Sequence, residues 1–269
     1  MSLTANDILA KAVLPTHLSS AEIRESIAAE IRRRSVFSAR TTEAGYLSRL
    51  RRILADVAAG RIDDATARAA LQRFLDQAGY TPERGFPGDP ARGVPPASGL
   101  TDLSSRARLD LILRTNRLAA ASVAMSRADT PETLAARPAW KLERYMGRRE
   151  PRADWPARWR AAGDAVGWEG AARGTMAALK SSPVWKALGN GAGGYADTLG
   201  NPYPPFAFGS GLAWTPLSAA EAAALGLDPA AARPNPATLS PGEAEIRDAV
   251  ERLGPDFAAG LAAELEGAA

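Results

Sequence analysis

Chemistry in this chain has to come from carboxylates, arginines and aromatic rings, because its 269 residues include no cysteine and a single histidine, His17. A thiol nucleophile, a Cys/His zinc site and a histidine relay each need residues that the sequence lacks. His17 stands in Leu-Pro-Thr-His-Leu-Ser just ahead of a helix signal and reads as a surface turn residue. Gly189-Asn-Gly191-Ala-Gly-Gly194 has the glycine spacing of a dinucleotide cradle. That cradle also needs a preceding strand, a following helix and an acid about 20 residues further on. Here a helix signal precedes and a Pro-rich segment follows, so the glycines read as a flexible loop. The expectation is a protein that is not an enzyme, with no catalytic residue, metal or cofactor.

Arginine and aromatic residues make the strongest binding pattern. Arg148, Arg149, Arg152, Arg158 and Arg160 are interleaved with Tyr145, Trp155 and Trp159. Guanidinium groups beside flat rings can hold phosphate, stack on bases or meet an acidic protein surface. The plainer alternative is a solvated rim in which arginine stems cover apolar surface. A second pattern, Glu243-Ala-Glu245, resembles the paired glutamates of ADP-ribosyl-transferring toxins, where one carboxylate stabilises an oxocarbenium charge. It also falls in the first turn of a helix signal, where acids simply favour the helix dipole.

The elements that must position these groups are mostly helices, since alanine is abundant and aromatic residues are 6% of the chain. Ser19 with Glu22 forms a capping box ahead of Ile23, Ile27 and Ile31, predicting a helix over 21–34. Tyr46, Leu47, Leu50, Ile53, Leu54 and Val57 predict a second, stopped by Gly60. Asp63 caps a third through Leu71, Phe74 and Leu75 to Gly79. Residues 81–99 are rich in Pro and Gly and read as a linker. Beyond it, 100–127, without proline or internal glycine, predicts one long helix with Leu103, Ala107, Leu111, Arg114 and Leu118 along one stripe.

All six tryptophans fall between Trp140 and Trp214, where the pattern changes. Alternation predicts strands over 140–146, 175–180 and 212–217, with short helices after Thr130-Pro131, Ser182-Pro183 and Ser218. Gly200 to Gly211 carries Pro202, Pro204 and Pro205 and reads as an ordered or binding loop. Ser240-Pro241-x-Glu243 caps a last amphipathic helix. The fold class is therefore mainly α with a smaller α+β C-terminal portion: a helical N-terminal region, a long central helix, short β-strands and a Pro/Gly-rich loop.

Charge divides the chain unevenly, with a net +3 over 1–99, +7 over 100–190 and −7 over 191–269. A basic middle can meet phosphate or acidic protein, and the acidic tail can dock on it. The uncharged run between Asp197 and Glu221 is long enough to span a bilayer, but its prolines would leave backbone groups unsatisfied there. No membrane partner is expected, and the N-terminus has none of the basic and apolar regions of a signal peptide.

Arg106-Ala-Arg-Leu-Asp-Leu-Ile-Leu-Arg114-Thr115-Asn116 followed by alanines resembles a helix of the phage Mu F-like minor head proteins. In that family an acid usually stands where this chain has Asn116. Trp155 to Gly163, then Met176 to Trp185, then Asn201 to Gly211 resemble the order of segments in one branch of the same family. Relatives often close the domain with a histidine and paired cysteines, which this chain replaces with Tyr203, Phe206 and Phe208. The resemblance covers about residues 100–220. It implies a minor capsid protein of a phage or prophage that binds the portal vertex and assists head assembly, DNA packaging or delivery.

On that reading the regions are a helical N-terminal region (1–80), the linker (81–99), a Mu F-like α+β domain (100–226) and an acidic helical tail (227–269). Arg114, Arg148, Arg149, Arg152, Trp155, Arg158, Trp159 and Arg160 are the expected contacts to partner or phosphate, and Tyr203, Phe206 and Phe208 the loop contacts. Portal and capsid proteins are the expected partners, with DNA a further candidate. The expected location is the virion, and the bacterial cytoplasm during assembly. The rival readings are a nucleic-acid-binding module built on the Arg/Trp region and a toxin-like transferase using Glu243 and Glu245.

Overall fold

The computed structural model describes residues 8–27, 29–80, 100, 102–127, 129–146 and 152–234. Arg148, Arg149, the 81–99 linker and the last helix signal with Glu243 and Glu245 lie outside the described residues. The first elements are β1 (Ala12–Val13), α1 (Ser20–Ser26), α2 (Ala29–Arg34), β2 (Ser35–Val36), α3 (Ala44–Ala58), α4 (Asp64–Gln77) and α5 (Arg106–Arg127). There follow α6 (Pro131–Ala136), β3 (Ala139–Arg144), α7 (Trp155–Asp164), β4 (Ala177–Leu179), α8 (Val184–Gly189), β5 (Leu212–Leu217) and α9 (Ala219–Ala224). The protein is mainly α-helical, with a few short strands in small sheets.

Contacts divide the described chain into two compact units. Among the described residues, one holds 8–17 with 34–117, and the other holds 18–33 with 118–234. The division falls inside α5.

In the Arg34–Arg117 unit, helix α4 starts where the Asp63 carboxylate accepts the Thr66 N–H, and α3 ends before Gly60, whose φ of 70° suits glycine. Tyr46, Leu47, Leu50, Ile53 and Leu54 of α3 are buried, as are Leu71 and Leu75 of α4. A parallel pair, β1 with β2, joins Ala12 to Ser35 and Val13 to Val36. Two residues per strand are too few for any period to announce them.

Helix α5 departs from the expected pattern. It begins at Arg106, and its buried residues here are Arg108, Leu109 and Leu113, while Ala107 and Arg114 of the expected stripe are exposed. The reason is Arg108. Its Nη2 donates to Ser38 Oγ at 2.6 Å and to the Ala39 carbonyl at 2.7 Å, and its Nη1 to the Leu100 carbonyl at 3.2 Å. Those acceptors let a cation enter the buried face, which an apolar-stripe search places outside.

In the other unit the Ser19–Glu22 capping box is present, but the expected 21–34 helix is two helices, interrupted at Ile27, whose backbone is extended. Ile23, Ile27 and Ile31 are nevertheless all buried. The three-stranded sheet has order β4-β3-β5, antiparallel throughout, with Trp140 opposite Ala178 on one side and Pro216 on the other. Proline at 216 is tolerated because β5 is an edge strand. No helix among the described residues is long and apolar enough to cross a membrane.

Candidate functional site

Helix α7 places Trp155, Trp159, Ala162 and Gly163 one to two turns apart on one face, with Pro156 in its first turn. That face is the inner one. Trp155 and Trp159 are buried and join Trp140, Trp185, Phe206 and Trp214 in a single hydrophobic core. Trp185 lies at its centre, 5.1 Å from Trp159, 5.4 Å from Trp214 and 6.1 Å from Phe206 between ring centroids. Trp140 of β3 and Trp214 of β5, diagonal neighbours offset by two residues in the ladder, are stacked at 5.2 Å with an interplanar angle of 2°.

Arg158 follows Trp155 by three residues and is 6% exposed. Its Nε donates to Asp154 Oδ2 at 2.8 Å, and its Nη1 to Asp197 Oδ1 at 2.7 Å. The guanidinium carbon sits 4.2 Å from the Tyr195 ring centroid and 5.1 Å from that of Trp155. Arg152 also pairs with Asp197, and its Nη2 donates to the Phe208 carbonyl at 3.1 Å. One carboxylate thus joins two arginines and ties α7 to the 195–208 segment.

Burial by itself would raise the Asp197 carboxyl, but hydrogen bonds and charge from Arg158, then Arg152, outweigh it and hold the group below its ordinary range. A carboxyl lowered by folding stabilises the native state above its unfolded value of about 4 and loses that contribution as the pH falls through the folded value. Near-ultraviolet circular dichroism from Tyr195 and Trp155 should therefore hold steady from about pH 8 to pH 5 and change only below about pH 4. A change centred between pH 5 and 8 would contradict the assignment.

The expected contacts redistribute accordingly. Trp155, Arg158 and Trp159 are buried in structure rather than presented to a partner, and Arg152 is half-buried in the Asp197 network. Tyr203 and Phe206 are likewise core residues, and Phe208 is half-buried, so the Pro-rich segment, read as an ordered or binding loop, is ordered and packed into the unit. Arg160 is exposed on α7, and Arg114 is exposed on α5 in the other unit. The glycines at 189–194 also change meaning. A Cβ at Gly189 would stand 1.7 Å from the Asn201 carbonyl oxygen, and at Gly191 2.4 Å from that of Tyr195. Gly189 and Gly191 therefore stand where backbone approaches backbone closely.

Asp154, Asp197, Tyr195, Asp129 and Lys180 escaped the sequence reading. Only the Asp154-to-Arg158 spacing of four was locally visible. Lys180 and Asp129 form a buried ion pair, Nζ to Oδ1 2.5 Å, with each side chain 3% exposed. A groove of about 190 Å³ lies between Thr175 and Leu225, but its one charged side chain, Arg173, donates to the Leu225 and Gly226 carbonyls that end α9. Among the described residues no three His, Cys, Asp or Glu side chains gather as metal ligands would. No family model, curated protein or solved structure matches the chain.

Proposed function

We propose that the chain is a minor head protein of a phage or prophage, acting at the portal vertex in head assembly and in DNA packaging or delivery. The observation that carries this reading is the coincidence of likeness and packing. The segments 155–163, 176–185 and 201–211, which resemble successive parts of the Mu F-like head proteins, supply Trp155, Trp159, Trp185, Tyr203 and Phe206 to one core. Segments that fold as one unit are the kind that a lineage retains together while its surface changes. Portal and capsid proteins are the proposed partners, and the virion, with the bacterial cytoplasm during assembly, the proposed location.

The core also limits where a partner can bind. With the tryptophans inside, base stacking on the Arg/Trp region is disfavoured, and exposed groups such as Arg160 and Tyr145 are left for contact. Coexpression with the portal protein of the same phage should give a complex that survives size-exclusion chromatography. A chain that remains a stable monomer against portal and every head protein of that phage would overturn the proposal.

A further inference from the structure

We infer that the outer face of α5 is a nucleic-acid backbone site, built from Arg106, Arg114 and Arg117. At 3.6 residues per turn these arginines fall within an arc of about 80°, and they span about 16 Å along the helix. Their side chains are 77%, 53% and 52% exposed. Asp110 lies in the middle of the arc and meets Arg68, Arg106 and Arg114 together, while Arg117 pairs with Asp64 at 2.9 Å. Two carboxylates among four guanidinium groups leave an excess of two positive charges on this face.

Helix stability accounts for Arg114, which follows Asp110 by four residues in the favourable acid-to-base orientation, but not for Arg106. Arg106 opens the helix, where a cation opposes the dipole, and the first turn holds no acid. Its pairing with Asp110 runs from base to acid along the chain, the weaker of the two orientations. Burial does not explain Arg106 either, since the buried residues of this part of α5 are Arg108, Leu109 and Leu113, while Arg117 is held to α4 through Asp64. Local rules broken on an exposed surface point to function.

The chemistry of the face selects the partner. The fully buried core of a protein–protein interface is more apolar than the surrounding surface and is enriched in aromatic residues. The exposed large hydrophobic residues in the described chain are Leu9, Leu100 and Tyr145, none of them on α5. A stripe of arginines without such a centre suits a partner that offers only regularly spaced negative charge. Phosphodiester backbone has that form, and guanidinium matches phosphate oxygens in pairs. The wider unit agrees in sign, with thirteen lysines and arginines against seven acids over the described residues from 8–17 and 34–117. This inference rests on charge and geometry and is independent of the portal reading.

Fluorescence anisotropy of a 30-base-pair mixed-sequence duplex, titrated with the full chain at 50 to 200 mM NaCl, tests it. Wild type should bind with an affinity that falls steeply with salt. Arg106→Gln/Arg114→Gln/Arg117→Gln should weaken binding at least tenfold at 50 mM and lower the log–log salt slope by about two to three. The pair Arg114→Gln/Arg117→Gln, which leaves the helix start intact, should give about two-thirds of that slope change. A control removing three exposed arginines elsewhere in the unit, Arg49→Gln/Arg52→Gln/Arg73→Gln, should keep affinity within threefold. No binding at 50 mM, or an equal loss in the control, overturns the site. Equal competition by polyglutamate at matched charge also overturns it, in favour of an acidic protein partner.

Discussion

Trp185→Ala should cost about 3–5 kcal/mol of folding stability, the largest loss expected from any single truncation in the aromatic core. The residue is fully buried and its ring meets Trp159, Phe206 and Trp214. Removing it leaves a cavity walled by three rigid rings that cannot collapse inward. It also removes a donor, because Trp185 Nε1 gives its hydrogen to the Leu179 carbonyl at 2.9 Å. Against a whole-domain stability of about 5–15 kcal/mol, such a loss takes away most of the margin.

The same reasoning separates this tryptophan from its neighbours. The indole nitrogens of Trp140, Trp155, Trp159 and Trp214 are buried without an acceptor from the described residues. Trp214→Phe should therefore be mild, since the ring removed carried an unpaired donor, whereas Trp185→Phe should cost about 0.5–1.5 kcal/mol more by removing the hydrogen bond to the Leu179 carbonyl, which keeps only the Ser182 N–H. Urea unfolding followed by tryptophan fluorescence measures all three variants. A cost below 1 kcal/mol for Trp185→Ala, or the reverse order for the two phenylalanine variants, would show that Trp185 is not the centre of the core.

What could be read from the chain alone follows the range of the interactions. Caps are made within three residues, and Ser19 with Glu22, Asp63 with Thr66, Thr130 with Thr133 and Ser218 with Glu221 all occur. Strand β5 occupies the alternating 212–217 segment. Sidedness was harder to read. Arg158 among tryptophans is the composition of a stacking surface, and it becomes a core group because Asp197, 39 residues away, joins Asp154 in supplying the opposite charge. Arg108 is similar, since Ser38 and Ala39, which accept its hydrogens, lie about 70 residues earlier. In both cases composition revealed the chemical capacity and tertiary structure decided where it was used. The exposed arginines of α5 were legible as charge, but that their face is the outer one emerged only with the burial of Arg108, Leu109 and Leu113.

The second large effect is expected where the unit buries a full ion pair. Lys180 follows β4, and its backbone N–H donates to the Pro138 carbonyl at 3.0 Å, so its side chain leaves from a fixed point beside β3. The ammonium lies 4.2 Å from the Trp140 ring centroid and contacts Asp129 Oδ1, while Asp129 Oδ2 is buried without a partner from the described residues. Removing either charge strands the other out of water. Lys180→Met should accordingly cost about 3–5 kcal/mol, and Asp129→Leu a similar amount. The double variant, which buries neither charge, should cost far less than the sum and fall within about 2 kcal/mol of wild type, since desolvation of the pair is itself unfavourable. Near-additive costs in this cycle would mean that the two groups act separately and that the short contact contributes little. If strong coupling is found, the pair is better understood as a fastening between the end of α5 and the end of β4. It makes one register of the sheet far more favourable than others in which a charge would be buried alone.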